Sequence, residues 1–162
     1  MSVELEVVKI QKPEDVNIII GQAHFIKTVE DLYEVIAGGV PFVSFAVAFC
    51  EASGKCLVRV EGNDDDLKES VIKAALSVGA GHSFFIMLKG AYPINFLPQI
   101  KNVPEVCRIF CATANPVDII VAVTENKRGI IGVIDGSSPE GVEGPQDIQW
   151  RKDFLRKIGY KR

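Results

Sequence analysis

The scarcities in this chain are the first guide to it. Among 162 residues there are two histidines, two methionines and one tryptophan, and no long apolar run. The longest apolar tract, Pro41 to Cys50, stops at Glu51, whereas a bilayer-crossing helix needs about 18 or more such residues. Acids stand at Glu4 and Glu6, where a secretory signal would carry a basic and then an apolar stretch. A soluble, cytoplasmic protein with no membrane partner is expected. A net charge of -3 and the lack of any long basic block exclude a general nucleic-acid coat.

Spacing excludes more. The cysteines at 50, 56, 107 and 111 never adopt the C-x2-C spacing of a strong zinc site. Cys107 and Cys111 fall on one predicted strand about 13 Å apart, beyond the 7 Å or so a disulfide allows. Cys50 and Cys56 flank a turn and could face each other across a hairpin. Buried thiols are the expected state of all four. Neither a G-x-x-x-x-G-K-[ST] loop nor a G-x-G-x-x-G after a strand occurs, so the usual ATP and dinucleotide cradles are missing. Asp64-Asp65-Asp66 reads as a solvated helix start, and no metal ligands are assigned.

What is present is apolar mass: 48% hydrophobic residues and a mean hydropathy of +0.20. A chain of this size folds to a surface of about 8,000 Å², burying about 69% of what the unfolded chain exposes. One domain over residues 1–162 is expected. Val3, Leu5 and Val7 alternate with Glu4 and Glu6, the period of a strand with one wet face. Asn17 to Ile20, ending at Gly21, reads as a strand buried on both sides. Thr28 and Asp31 resemble a capping box, followed by Val29, Leu32, Tyr33 and Ile36 at helical spacing and by Gly38-Gly39.

Phe42 to Cys50 and Cys56 to Val60 read as a hairpin. A helix from Asp64–Asp66 carries the stripe Leu67, Val71, Ala74, Ala75 and Val78 and ends at Gly79. Strands follow at His82 to Leu88, Val106 to Thr113, Asp118 to Thr124 and Ile130 to Ile134, with a short helix at Tyr92 to Asn102. A last helix sets Trp150, Phe154, Leu155 and Ile158 on one face. Helices interrupt the strands without strict alternation, so the fold class is α/β or α+β, a mixed sheet covered by helices.

Three segments can carry chemistry. His24 lies between a buried strand and a helix start, where Lys27, the Thr28 hydroxyl and free helix N–H groups could hold an anion. Its imidazole could act as nucleophile or proton carrier; a plain helix-entry loop explains it equally. His82 follows Gly79-Ala80-Gly81, whose N–H groups could line an anion pocket, although Gly79 also serves as a left-handed helix cap. Ile134-Asp135-Gly136-Ser137-Ser138 ends a strand in an acid and hydroxyls. That group suits a polyol such as ribose, with Asp135 as acceptor or base, or forms only an Asx-turn. Asn115, in a turn, could read a base edge.

Taken together, Gly21-Gln22-Ala23-His24-Phe25-Ile26-Lys27-Thr28, Gly79-Ala80-Gly81-His82-Ser83-Phe84 and Ala91-Tyr92-Pro93-Ile94-Asn95 resemble the adenosine-specific kinase family. Asn102-Val103-Pro104-Glu105-Val106-Cys107, Cys111-Ala112-Thr113-Ala114-Asn115-Pro116 and Gly132-Val133-Ile134-Asp135-Gly136-Ser137 do so too. The resemblance runs from about residue 3 to the end of the chain. It implies a compact α/β subunit in a homo-oligomer, a trimer or a multiple of one. It also implies a site for adenosine or AMP, and a histidine able to carry a phosphoryl group.

The reading that follows is adenosine kinase-type phosphoryl transfer by way of a phosphohistidine. His24 is the nucleophile and His82 the reserve. Lys27 and Thr28 hold the phosphoryl group, Asp135 acts on a ribose hydroxyl, and Asn115, Gly136 and Ser137 shape the pocket. No cofactor is assigned, and the phosphoryl donor is not evident in these residues. The alternative is a non-catalytic adenosine or AMP binding or sensing oligomer.

Overall fold

The computed structural model describes residues 2–162. The chain runs β1 (Glu4–Lys9), β2 (Asn17–Ala23), α1 (Thr28–Ala37), β3 (Ser44–Cys50), β4 (Val58–Gly62) and α2 (Asp65–Val78). It continues with β5 (Ser83–Lys89), a 3-10 turn (Pro93–Asn95), α3 (Leu97–Lys101), β6 (Val106–Thr113), β7 (Val117–Val123), β8 (Arg128–Asp135) and α4 (Pro145–Lys157). The class is α+β, as the irregular alternation of elements implies. The strands divide into a five-stranded sheet of order β4-β3-β5-β2-β6 and a three-stranded sheet of order β1-β7-β8. Every pairing among them is antiparallel.

The continuous apolar runs sit where both faces of a strand are covered. In β5, Phe85 and Met87 face α2 and the small sheet, while Phe84, Ile86 and Leu88 face α1 and α3. In β3, Ala46 and Ala48 face the first of these cores and Phe45, Val47 and Phe49 the second. A period-2 backbone buried on both sides requires this unbroken apolarity. Helix α2 buries the stripe read from the sequence, Leu67, Val71, Ala74, Ala75 and Val78. The Asp64 carboxylate accepts the Leu67 N–H at 3.0 Å at its start, and Gly79 closes it at φ +62°.

Local rules were overridden in several places. Gly21 does not end β2: the strand continues because a Cβ there would lie 2.3 Å from the Phe84 ring, so glycine is what lets the sheet pass. The Thr28–Asp31 capping box does not form. The chain is already helical at Lys27, which occupies the N-cap position, so the buried Thr28 hydroxyl donates to the Phe25 carbonyl instead. The helix expected over Tyr92–Asn102 splits at Phe96, with Pro98 in the first turn of α3, where no N–H is needed.

Cys50 stands opposite Val58 rather than Cys56. All four thiols are free, but only Cys50 and Cys111 are buried; Cys56 and Cys107 are exposed.

The apolar positions of β1 face outward. Leu5 and Val7 are 67% and 65% exposed, while Val8 packs on the core. Helix α4 buries none of its residues.

Candidate functional site

Strand β2 has a polar cluster at each end. At its C-terminal end the Ala23 N–H donates to the His82 carbonyl at 2.9 Å, and the His24 N–H donates to the Glu105 carbonyl at 3.1 Å. Antiparallel pairing of β2 with β5 and β6 thus brings His24, His82 and Glu105 to one sheet end. His82 is held at φ +62°, a conformation uncommon outside glycine. Its N–H donates to the Cys50 carbonyl at 2.7 Å, and its ring stacks on Phe49 with centroids 5.8 Å apart and planes at 19°.

Glu105 escaped the sequence reading. It is 2% exposed, and one carboxylate oxygen pairs with the Lys27 ammonium. The other oxygen is buried without a partner, which is rare for a carboxylate. A glutamate just before an apolar strand ordinarily points to solvent, so only the fold shows its burial. Lys27 also donates to Asp31 Oδ2 at 2.6 Å. Its hydrogen bonds to Asp31 and then Glu105 push its pKa up to about 12.

One ammonium therefore serves two carboxylates. The Thr28 hydroxyl is likewise engaged by the Phe25 carbonyl. Neither group stands free for a phosphoryl group, although both lie at the histidine end.

A cleft of about 410 Å³ opens beside this corner, between Ile26, Lys27, Val29 and Glu30 on one side and Arg59 and Val60 on the other. Arg59 donates to Glu51 Oε1 at 2.7 Å, and its Nε is buried without a partner. The Arg59 hydrogen bond holds the Glu51 carboxyl below its usual range. Gly79 is the left-handed cap of α2, its N–H bonded to the Ala75 carbonyl at 2.8 Å. The turn reading of Gly79-Ala80-Gly81 thus accounts for that glycine.

The second cluster lies at the other end. Asp135 Oδ1 accepts from the Thr113 hydroxyl at 2.8 Å and from the Asn115 amide at 3.0 Å. The Asn115 N–H returns to the Thr113 hydroxyl at 3.0 Å. Gly136, at φ +66°, abuts Asn115, where a Cβ would sit 2.9 Å from the amide nitrogen. Nearby, the Lys12 ammonium donates to the Val16 and Ala114 carbonyls at 2.7 Å each, and burial lowers its pKa.

Asp135, Asn115 and Gly136 thus come together, with Ser137 next in the chain. They do not come to the histidines. Thr113 pairs with Ile18, six residues before His24 along β2, a separation of about 20 Å. The sequence alone offered no measure of this distance, because each motif ends a strand without indicating which end of the sheet it reaches.

The architecture defines an antiparallel α+β protein with a buried carboxylate and two histidines at one sheet end. Comparison with known families is more specific. The family model described as "Adenosine specific kinase" matches residues 8–161, and the chain belongs to that family. Among solved structures it is similar to the PH1918 protein from Pyrococcus horikoshii OT3. The two share 44% sequence identity over 99% of each chain, with a TM-score of 0.94. None of the curated proteins compared with it matches significantly.

Proposed function

We propose that this chain binds adenosine or AMP and passes a phosphoryl group through a histidine, with His24 as the carrier and His82 in reserve. The observation that supports this reading is that the backbone places both histidines at the same end of adjoining strands, with the Lys27–Glu105 pair close by and an open cleft on the far side of Lys27. His24 lies in the exposed loop between β2 and α1, where a ring nitrogen can meet a donor. Membership of the family supports adenosine as the nucleoside.

In the transfer, the 5′-hydroxyl oxygen of adenosine attacks phosphorus while the N–P bond breaks. The bonding pair returns to the imidazole, and the hydroxyl proton leaves to a base or to water. Asp135 with Asn115, Gly136 and Ser137 would join the same nucleoside only from a neighbouring copy, since one chain holds them about 20 Å from His24.

One observation favours the non-catalytic alternative. Lys27 is outweighed by Asp31 and Glu105, so this corner is net negative and suits neutral nucleoside hydroxyls better than a phosphoryl group.

A single experiment separates the two. Acid-labile phosphate is mapped by mass spectrometry, and the phosphorylated protein is then mixed with adenosine. Transfer yields AMP in equal amount to the phosphate lost. The binding alternative yields bound adenosine and no AMP. Histidine phosphorylation that persists in His24→Ala and vanishes in His82→Ala would move the role to His82.

A further inference from the structure

Two of the four thiols share one cavity. About 450 Å³ lies open between the turn joining β3 to β4, the end of α2 and the turn before β8, and both Cys50 and Cys56 line it. Antiparallel register explains the meeting. Cys50 stands opposite Val58, and the Glu51 N–H donates to the Leu57 carbonyl at 3.1 Å, so Cys56 falls two places from the position facing Cys50. Residues two apart along a strand share a face, and such diagonal neighbours have Cα atoms about 7–8 Å apart. A disulfide spans at most about 7 Å, so a closing movement of about 1 Å joins the pair. Residues 53–57 are all exposed, and little packing opposes that movement.

Cys50 also carries the His82 turn. Its carbonyl accepts the His82 N–H at 2.7 Å, and its thiol lies beside the Ser83 hydroxyl. One residue before the histidine, a Cβ built on Gly81 would meet Ala52 Cβ at 2.8 Å, so the turn rests directly on the cysteine loop. His82 itself is held at φ +62°, a conformation that persists only where the surroundings impose it. A shift of the loop between Cys50 and Cys56 therefore reaches the histidine main chain without an intermediary.

We infer that Cys56 and Cys50 form a peroxide-sensitive modification site whose disulfide loosens the hold on His82. Cys56 is exposed and meets the oxidant first. Its thiolate sulfur attacks one oxygen of a hydroperoxide. The S–O bond forms as the O–O bond breaks, sulfur is oxidised, and the second oxygen takes a proton and leaves as water or an alcohol. Cys50, buried from bulk solvent but open to the cavity, then attacks the sulfenic sulfur. The S–S bond forms, the S–O bond breaks, and hydroxide leaves with the Cys50 proton as a further water. A thiol reductant restores both thiols. This inference stands independently of the nucleoside chemistry, because it concerns the His82 main chain alone.

Peptide mapping and amide exchange test it together. Reduced protein is treated with one equivalent of hydrogen peroxide, free thiols are capped, and trypsin cuts after Lys27, Lys55 and Arg59. Segment 28–55 should be found joined to segment 56–59, and dithiothreitol should separate them. Amide exchange at His82 should quicken roughly tenfold on oxidation, as expected when a local restraint is lost, and recover on reduction. Cys56→Ser, at an exposed position, should show neither the link nor the change. Cys50→Ala should stop at a Cys56 sulfenic acid that dimedone traps; should that variant misfold, wild type and Cys56→Ser decide alone. Cys56 oxidised to a sulfonic acid while Cys50 stays free would overturn the inference. So would a link between two molecules, or a Cys50–Cys56 link that leaves exchange at His82 unchanged.

Discussion

The Glu105 main-chain carbonyl accepts the His24 N–H at 3.1 Å, while the Glu105 carboxylate pairs with Lys27. One buried residue thus grips the His24–Lys27 loop at both ends, and it places a negative charge where an anion would have to arrive.

Glu105→Gln keeps the main-chain bond and the side-chain shape but removes that charge. Lys27 stays protonated, its pKa held up by Asp31 first, and the corner becomes neutral. The affinity for AMP relative to adenosine should rise roughly threefold to tenfold, as expected for one charge at about 6 Å in a partly wet site. Calorimetric titration with each ligand measures the ratio. An unchanged or lower ratio would show that the phosphate binds elsewhere.

Gly21→Ala forces a methyl group to within 2.3 Å of Phe84 Cζ and 2.6 Å of the Arg108 carbonyl. Both neighbours are fixed in the sheet, so a loss of about 1–3 kcal/mol is expected from overpacking. Urea unfolding should show a lower midpoint with the same slope. A midpoint equal to wild type would mean that the β2–β6 bulge can open to admit the methyl group.

Asp135→Asn retains an acceptor oxygen for Thr113 and Asn115, whereas Asp135→Ala leaves both donors unmatched. The Ala variant should lose about 0.5–1.5 kcal/mol, because water reaches these part-exposed groups, and the Asn variant less. Thermal melts compare them. Histidine phosphorylation should be intact in both; its loss in Asp135→Asn would show that a neighbouring copy delivers Asp135 to the histidine end.

Cys56 and Cys107 should react quickly with a thiol reagent at neutral pH, and Cys50 and Cys111 only on unfolding. Burial, and then the Asp135 charge, push the Cys111 thiol up from 9.0 to about 11. Burial also raises Cys50. A raised folded-state value means that stability is whole below pH 9 and falls as the unfolded thiol ionises first, between pH 9 and about 11. Asp135→Asn should narrow that window by removing the charge. Four equally fast thiols in the native protein would contradict the burial of Cys50 and Cys111.

Several features were legible because they are local. The α2 stripe from Leu67 to Val78, its Asp64 start and its Gly79 end follow from helical period and capping chemistry. The two-sided burial of β2 follows from an apolar run too short for a helix. Other features resisted for reasons that are not local. The alternation of Val3, Leu5 and Val7 names a strand with one apolar face but not whether that face turns to the core, and here Val8 does so instead. The cap position of Thr28 depended on whether the preceding turn was already helical.

The sequence by itself determined the elements, the α+β class and the family, because period, turn chemistry and motif wording reside in neighbouring residues. Only the tertiary structure decided which motifs meet. Antiparallel pairing brings His24, His82 and Glu105 to one end of β2 and carries Asp135 to the other, a consequence of strand direction that no local pattern records. The apolar surplus is divided the same way: most fills two cores, and the rest, on β1 and α4, stays uncovered because the single chain has nothing left to lay against it.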